Sequence, residues 1–210
     1  MTEIIIARHG ETEWNVSEIF RGRIDVNLNE TGIKQAELLG QYLSKKAIEA
    51  IYSSPLQRAL KTAEIIAKHL GLKVKVEPGL IDFNFGRWQG LSHQEVKEKY
   101  KELYAEWTTH PERVIMPDGE SLEDVRKRVI KVTNKVIKKH KGTVVLVGHR
   151  VVNKIIICTL LGLDNSHFWK IKQDTGGITI FIYQNGQFIL TRHNDTSYLK
   201  PVAKTPLTDF

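Results

Sequence analysis

The amino-acid sequence predicts an α/β protein, a three-layer α/β/α sandwich with a mostly parallel sheet and an antiparallel edge. Short β-rich runs alternate with longer amphipathic runs, which is the order expected of strand–helix–strand units. The run TVVLVGH at 143–149 begins as unbroken apolar sequence, typical of a strand buried on both faces of a parallel sheet. The chain closes on a predicted hairpin at 177–193 that turns at Asn185-Gly186.

The first half of the chain contains three predicted strands and two predicted helices. The strands are EIIIAR (3–8), AIYSS (50–54) and LKVKVE (72–77). The first helix, over 29–46, has Asn29 as its N-cap and apolar residues at helical spacing. The second, over 55–71, has Ser54 as its N-cap, Pro55 at its first position and Gly71 as its terminator.

Three further helices are predicted in the second half, over 92–107, 121–140 and 151–162. The first of these opens with a Ser92-x-x-Glu95 capping box. No repeat, low-complexity tract or linker divides the chain, so we expect one domain over residues 1–210. Three long stretches without clear structure are 10–30, 78–91 and 108–120. Long loops in a compact domain are usually functional, and we expect these loops to carry the working residues.

The composition indicates a globular protein without a membrane partner. Of 210 residues, 41% are hydrophobic and 26% charged, as in ordinary globular chains. No apolar run approaches the roughly 20 residues that cross a bilayer. The start lacks a basic region followed by an apolar one, so we expect a cytoplasmic protein. The single cysteine, Cys158, lies in an apolar run and is expected to be packed and inert.

The net charge of +7 suits an anionic partner but does not identify one. Lysines are spread over predicted helical faces such as EVKEKYKEL, without the interleaved aromatic side chains that stack on bases. This pattern favours a solvated basic surface. We therefore expect no nucleic-acid partner.

Polar residues follow three of the predicted strands, where ligands bind in parallel sheets. Arg8 and His9 follow the first strand, the segment 53–58 follows the second, and His149 and Arg150 follow the apolar strand. Two of these segments also open helices, whose free N–H groups favour phosphate. The sequence therefore predicts that two arginines and two histidines meet around one anion.

Six segments of the chain resemble motifs of one protein family, in the family's order. They are RHGETEWN, RGRIDVNLNETGIKQA, IYSSPLQRALKTAEIIA, FGRWQGLS, PDGES and VLVGH. Over most of its length the chain resembles the histidine phosphatase superfamily, the phosphoglycerate mutase-like proteins. Its phosphatase branch includes α-ribazole phosphatases, metal-independent phosphoserine phosphatases and broad-specificity phosphatases. The resemblance implies the three-layer sandwich and a small phosphorylated metabolite as partner. It is compatible with a homodimer, which the sequence does not establish.

The resemblance also implies roles for five residues. His9 is the expected nucleophile, forming a phosphohistidine, which requires a neutral imidazole with one nitrogen aimed at phosphorus. Arg8, Arg58 and His149 are expected to bind the phosphoryl oxygens and neutralise charge during transfer. Asn15 matches a phosphate contact of the family.

Three other positions are open at this stage. Arg21-Gly22 lies where the family often has Gln-Gly or Ser-Gly, so Arg21 either adds a cation to the site or points to solvent. Arg150 and Asn153, at the start of the last helix, are candidate specificity positions. Their other interpretation is a helix cap and surface charge.

The general acid and base is expected to be Asp82, four residues before Gly86. One carboxyl group can protonate the leaving alkoxide and later accept a proton from water. The family usually has Glu here, and Asp is shorter by one methylene. Glu11 is a substitute candidate whose other interpretation is to hold its loop. No Asp-x-Asp pair, P-loop or zinc-ligand spacing is present, so we expect no metal and no cofactor.

The sequence favours phosphomonoester hydrolysis over two other functions. A phosphoglycerate mutase of this family carries an Arg- and Lys-rich insertion after the third motif. Here that segment is shorter and offers four apolar residues that form either a lid or packing: Trp88, Trp107, Ile115 and Met116. A non-catalytic phospholigand-binding regulator is supported only by the Asp at position 82. The natural substrate is not identified by any residue.

Overall fold

The computed structural model describes residues 1–202 and contains a six-stranded sheet between two layers of helices. The final residues of the predicted 1–210 domain, 203–210, lie outside that description. The strands are β1 (Thr2–Arg8), β2 (Ile48–Ser53), β3 (Val74–Val76), β4 (Thr143–Gly148), β5 (Ile178–Gln184) and β6 (Gln187–Asp195). The helices are α1 (Glu13–Val16), α2 (Glu30–Leu43), α3 (Gln57–Leu70), α4 (His93–Lys99), α5 (Lys101–Thr109), α6 (Leu122–Lys139) and α7 (Arg150–Leu160).

The sheet has the strand order β3-β2-β4-β1-β5-β6. Strands β1 to β4 are mutually parallel, whereas β5 runs antiparallel to both of its neighbours, β1 and the edge strand β6. The predicted fold class is therefore confirmed. In register, Arg8 pairs with Gly148 and Ser53 pairs with Val147, so β1, β2 and β4 all end at the same edge.

The two faces of the sheet bury alternate residues of the same strands. Ile5 and Val145 pack on α2 and α3, whereas Ile4 and Val144 face α6, α7 and an aromatic cluster under the loops. Fully burying such a side chain contributes about 1.5–3 kcal/mol. This two-sided burial explains why β1 and β4 are apolar without alternation.

Two predicted helices differ from the observed ones. The predicted helix over 92–107 is two helices, α4 and α5, because Tyr100 has φ −129° and interrupts the helical backbone. The helix predicted over 55–71 begins at Gln57, and its N-cap is Leu56 rather than Ser54. The Ser54 hydroxyl instead accepts the Leu56 N–H at 3.3 Å within the turn that precedes the helix.

Of the two alternatives for the four apolar residues, a lid or packing, three of the residues fit packing. Trp88 and Trp107 are 0% and 2% exposed, Met116 is also buried, and Ile115 projects into solvent. The two tryptophans belong to an aromatic cluster beneath the loops, with ring centroids 6.5 Å apart. Within residues 1–202, no helix has the length and apolar character needed to cross a membrane.

Candidate active site

The site lies where β1, β2 and β4 end together. The main-chain N–H of His9 donates to the Gly148 carbonyl at 3.0 Å, and that of Ser54 donates to the Val147 carbonyl at 3.1 Å. These bonds continue the pairing of the strands past their last residues. The ends of the three strands are thereby held against one another, and the side chains that follow them share one small volume.

Two buried histidines meet at this point. The ring centroids of His9 and His149 lie 5.2 Å apart, with 59° between the ring planes. The Nδ1 of His9 lies 2.6 Å from the Gly10 carbonyl oxygen, which can only accept, so we assign the proton to Nδ1. The Nε2 of His9 then carries the free electron pair that a nucleophile requires.

Both histidines are held neutral by their surroundings. Burial, followed by His149 and then Arg58, lowers the pKa of His9 well below its usual value. Burial, followed by Arg58 and Arg21, does the same to the pKa of His149. The Nε2 of His149 is 2.7 Å from the Ser54 hydroxyl, which fixes the ring. At neutral pH the pair therefore adds no positive charge to the site.

Arg58 is fully buried and connects the two loops 10–30 and 78–91. It donates to the Ile24 and Gly22 carbonyls at 3.0 and 2.7 Å and to Asp82 Oδ2 at 2.8 Å. Its Nε is buried and has no hydrogen-bond partner within residues 1–202. Arg8, also buried, donates to the Gln173 carbonyl. Both predicted arginines lie close enough to His9 to help lower its pKa, and the unused Nε donor of Arg58 is suited to an anion.

Asp82 is the ion-pair partner of the same arginine. Its Oδ2 lies 3.5 Å from His149 Nδ1, and its Oδ1 accepts the Phe83 N–H at 2.8 Å. The side chain is 8% exposed. The structure thus brings the predicted acid into contact with two other predicted site residues, Arg58 and His149, despite its shorter side chain.

Two candidate residues of the first loop, Glu11 and Asn15, form hydrogen bonds that hold that loop in place. Glu11 Oε1 accepts from the Asn29 side chain at 3.0 Å, and the Glu11 N–H donates to Gln35. Asn15 is buried, and its Oδ1 accepts from the Thr12 N–H at 2.9 Å in a capping box of α1. The contacts of Glu11 are therefore those expected of a residue that holds its loop, which was the alternative to a role as the acid.

Arg21 turns inward rather than toward solvent. Its Nη1 donates to the Trp14 carbonyl at 2.8 Å, while its Nε is buried without a hydrogen-bond partner in the described chain. Burial, and then Arg8 and Arg58, lower the pKa of Arg21 well below its usual value. A third guanidinium group is thus close to the first two, with no carboxylate of residues 1–202 in ion-pair contact with it.

Gly22 allows the loop after Arg21 to approach the rest of the site. It has φ +50°, and a Cβ at this position would overlap the Gln89 side-chain oxygen. That oxygen accepts the Arg23 N–H at 2.7 Å, and the Gly90 N–H donates to the Phe20 carbonyl at 2.9 Å. Loops 10–30 and 78–91 are therefore joined directly.

At the start of α7, Arg150 lies close enough to His93 and Arg21 to help lower their pKa values. The pKa of His93 falls to about 3, chiefly through burial. Asn153 is fully buried, and its Nδ2 donates to Gln173 Oε1 at 3.1 Å. It is neither a helix cap nor a surface residue.

Three residues of the site were missed by the sequence reasoning. Ser54 orients His149, Gln173 accepts from Arg8 and Asn153, and His93 stacks on Phe20 with centroids 4.0 Å apart. Ser54 had a detectable signal, since it ends a strand directly before a helix. Gln173 and His93 had none, because the fold alone brings their segments to the site.

The parallel strands thus end in two neutral histidines among buried arginines, an arrangement suited to binding an oxyanion such as a phosphoryl group. The sequence pattern of the histidine phosphatase superfamily (branch 1) matches residues 4–196, and the chain belongs to that superfamily.

Several relatives cover nearly the whole chain. Phosphoserine phosphatase 1 of Hydrogenobacter thermophilus is 38% identical over 95% of both chains. A metal-independent phosphoserine phosphatase of Arabidopsis thaliana is 32% identical over 97% of this chain and 85% of its own. Among solved structures, Bacillus stearothermophilus YhfR has a TM-score of 0.91 at 29% identity, over 95% of this chain and 100% of its own. Phosphoserine phosphatase of Entamoeba histolytica, in complex with 3-phosphoglyceric acid, has a TM-score of 0.84 at 32% identity, over 95% and 100%.

Proposed function

We propose that this protein hydrolyses small phosphomonoesters through a phosphohistidine on His9, without a metal ion or other cofactor. The observation that carries the proposal is the state of His9. Its ring is buried and neutral, its Nδ1–H is held by the Gly10 carbonyl, and its Nε2 is left for phosphorus. A nucleophile needs this combination of an unprotonated atom and a fixed orientation.

The phosphoryl group would be bound by the arginines around His9. Arg58 and Arg21 each have a buried Nε without a hydrogen-bond partner in the described chain, and Arg8 is fixed next to His9. Such donors bind and neutralise the three equatorial oxygens of a transferring phosphoryl group. His149 and Asn15 complete the expected set. These guanidinium groups supply the positive charge that a metal ion supplies in other phosphatases.

In the first step, Nε2 of His9 attacks phosphorus and the bond to the ester oxygen breaks. Asp82, protonated, gives its proton to the leaving oxygen, so that an alcohol departs and a carboxylate remains. In the second step, water attacks the phosphohistidine while the Asp82 carboxylate accepts a proton from it. The bond between His9 Nε2 and phosphorus breaks with its electron pair returning to Nε2, inorganic phosphate is released, and neutral His9 and the acid form of Asp82 are restored.

Phosphoserine is the first substrate to test. Two relatives of more than 30% identity carry that activity in their names, and they cover most of this chain. The inward guanidinium group of Arg21, which replaces a neutral residue common in the family, favours an anionic substrate. A cytoplasmic location and a homodimer stay predictions from the sequence.

The test is hydrolysis of phosphoserine and of p-nitrophenyl phosphate in EDTA by the wild type and His9→Ala. We expect EDTA-resistant turnover that His9→Ala abolishes, and a covalent phosphate on His9 in quenched wild-type samples by mass spectrometry. His110→Ala, at an exposed histidine, is the control and should retain full activity. Turnover that survives His9→Ala, or that requires a metal, would refute the mechanism.

The same assay distinguishes the two other functions. Conversion of 3-phosphoglycerate in the presence of 2,3-bisphosphoglycerate would favour a mutase. Tight binding of phosphoserine without any turnover of either ester would favour a phospholigand-binding regulator.

A further inference from the structure

The segment that carries Asp82 is held from outside the site by one carboxylate. Glu120, in the PDGES loop, accepts the Asn84 main-chain N–H with Oε2 at 2.9 Å. The Glu120 N–H in turn donates to the Asn84 carbonyl at 3.0 Å. These two bonds fix the main chain only two residues after Asp82.

Two arginines extend this contact to Asp82 itself. Arg128 lies 3.4 Å from Glu120 Oε2 and donates to the Asp82 and Gly79 carbonyls at 3.3 and 2.8 Å. Arg23 lies 2.8 Å from Glu120 Oε1 and donates to the same Asp82 carbonyl at 3.4 Å. We call Arg23, Glu120 and Arg128 the Glu120 network. It contacts the segment 79–84 on both sides of the predicted acid.

The Glu120 network is partly buried, and its two arginines depend on the Glu120 carboxylate to balance their charge. The side chains of Glu120 and Arg128 are 16% and 17% exposed, against 38% for Arg23. Burial lowers the pKa of Arg128, and Glu120 opposes that shift. Removal of Glu120 would leave two cations close together, one of them largely buried, which weakens their hold on the Asp82 carbonyl.

Main-chain position matters more for Asp82 than it would for the usual Glu. An aspartate has one methylene fewer between main chain and carboxyl group, so it has less freedom to compensate for a shifted backbone. The Asp82 carboxyl group also has both oxygens engaged, by Arg58 and by the Phe83 N–H. A displacement of the segment therefore passes directly to the carboxyl group. Misplacement by about 1 Å can cost on the order of a hundredfold in rate.

We propose that Glu120 is a positioning residue for Asp82, and that Arg23 and Arg128 transmit its effect to the Asp82 main chain. The proposal rests on the proposed function, because it takes Asp82 as the acid. It makes the Glu120 network a determinant of proton transfer to the leaving group, although none of its members touches His9 in the described contacts.

The test compares two esters whose leaving groups differ in their need for a proton. Serine leaves as an alkoxide and needs the acid, whereas p-nitrophenolate leaves without one. We expect Glu120→Gln to lower kcat/KM for phosphoserine by roughly 30-fold to 100-fold and for p-nitrophenyl phosphate by less than about threefold. Glu3→Gln, which breaks the similarly buried ion pair with Lys46, is the matched control and should change neither value.

A double-mutant cycle separates positioning from general loosening of the structure. On phosphoserine, adding Glu120→Gln to Asp82→Asn should cause no further loss, since the acid is already gone. Equal losses on the two esters, or additive losses in the double variant, would overturn the proposal. If Glu120→Gln fails to fold, Arg23→Gln at the more exposed arginine takes its place in the test. It should lower kcat/KM for phosphoserine by about three- to tenfold and leave kcat/KM for p-nitrophenyl phosphate nearly unchanged.

Failure of the proposed function gives a different pattern from failure of this inference. If His9→Ala retains turnover, the proposed function falls. If Asp82→Asn affects both esters equally, Asp82 is not the acid, and the positioning role falls while hydrolysis through His9 stands with another acid. If Asp82→Asn is selective for phosphoserine and Glu120→Gln is not, the mechanism stands and the positioning role alone is wrong.

Discussion

Two ends of the same sheet each bury a histidine, and the two sites differ in how charge is balanced. At the amino ends of the strands, His140 has both ring nitrogens engaged, with Glu49 at 2.5 Å and the Tyr52 hydroxyl at 2.9 Å. At the carboxyl ends, His9 and His149 lie among arginines, and His9 Nε2 is left for a ligand.

The difference separates a histidine whose polar neighbours are satisfied from the histidine that we propose as the nucleophile. Burial is common to both ends, so burial alone does not indicate function. The His140 end satisfies its own polar groups and needs no ligand. The His9 end leaves buried guanidinium donors unused, which an oxyanion would satisfy. The Nε atoms of Arg21 and Arg58, which have no hydrogen-bond partner within residues 1–202, distinguish this end of the sheet more clearly than the histidine does.

The largest expected effect comes from replacing the two buried histidines, His9 and His140, and it tests the difference between the two ends of the sheet directly. His9→Asn should lower kcat for phosphoserine by at least about a thousandfold, because the nucleophile is lost. His140→Ala should leave kcat within about twofold and lower the free energy of unfolding by about 1–3 kcal/mol, because Tyr52 and Glu49 lose a buried partner. Steady-state kinetics and urea unfolding measure the two outcomes. A reversal of the two phenotypes would contradict the assignment.

Asp82→Asn should have the next largest effect. The amide keeps the size of the side chain but supplies no acidic proton, so kcat/KM for phosphoserine should fall by about 10²–10⁴-fold. The loss on p-nitrophenyl phosphate should be much smaller. Retention of full phosphoserine turnover would exclude Asp82 and make Glu11 the next residue to test.

The pH dependence of the free energy of unfolding tests whether the two histidines at the carboxyl ends of the strands are neutral in the folded protein. The pKa values of His9 and His149 are lowered in the folded state, so below pH 6.5 the unfolded chain binds protons that the folded chain does not. Stability from these groups is therefore present above pH 6.5 and lost as pH falls toward the lowered folded values. Each histidine should contribute about 1.4 kcal/mol per pH unit below that point.

Urea unfolding between pH 7.5 and 5 measures this slope. His9→Asn should reduce the slope by about the contribution of one histidine. An unchanged slope in that variant would show that the folded His9 takes up its proton as readily as the unfolded one.

Arg21→Gln should have the smallest effect and should act in opposite directions on activity and stability. Loss of one charged hydrogen bond to the substrate should lower kcat/KM for phosphoserine about tenfold or more. Relief of repulsion with Arg8 and Arg58 should raise the free energy of unfolding by about 0.5–2 kcal/mol. Arg87→Gln, at an exposed ion pair with Asp118, is the control and should change neither quantity. A destabilised Arg21→Gln would mean that Arg21 holds its loop instead.

Much of the fold could be predicted because the local sequence pattern of each strand agrees with its place in the sheet. The middle of β1 and of β4 is a run of four consecutive apolar residues, which is typical of a strand buried on both faces of a sheet. The ends of these strands then bring Arg8, His9 and His149 together. The break at Tyr100 could not be predicted, since its sequence continues the helical pattern. Ser54 was assigned to a helix cap because its sequence suits one, but its hydroxyl serves His149.

The remaining site residues depend on how the loops pack. Whether Arg21 faces inward is decided by the Trp14 carbonyl, by Gly22 in a left-handed conformation and by Gln89 from another loop. None of these contacts has a local sequence signature. Gln173 likewise reaches Arg8 only because the segment before β5 passes beside β1.

The joining of loops 10–30 and 78–91 has a consequence for how this site could diversify. His9, the proposed nucleophile, directly follows the strand β1. Arg21 and Asp82 lie instead on two loops, which are joined by the Gln89 side chain and by main-chain hydrogen bonds from Phe20 to Gly90 and Leu91. A change of specificity in one loop therefore requires an accommodating change in the other. Substrate preference should therefore be inherited as a pair of loops, while β1 and His9 stay unchanged. Transfer of a preference between homologues should likewise require both loops.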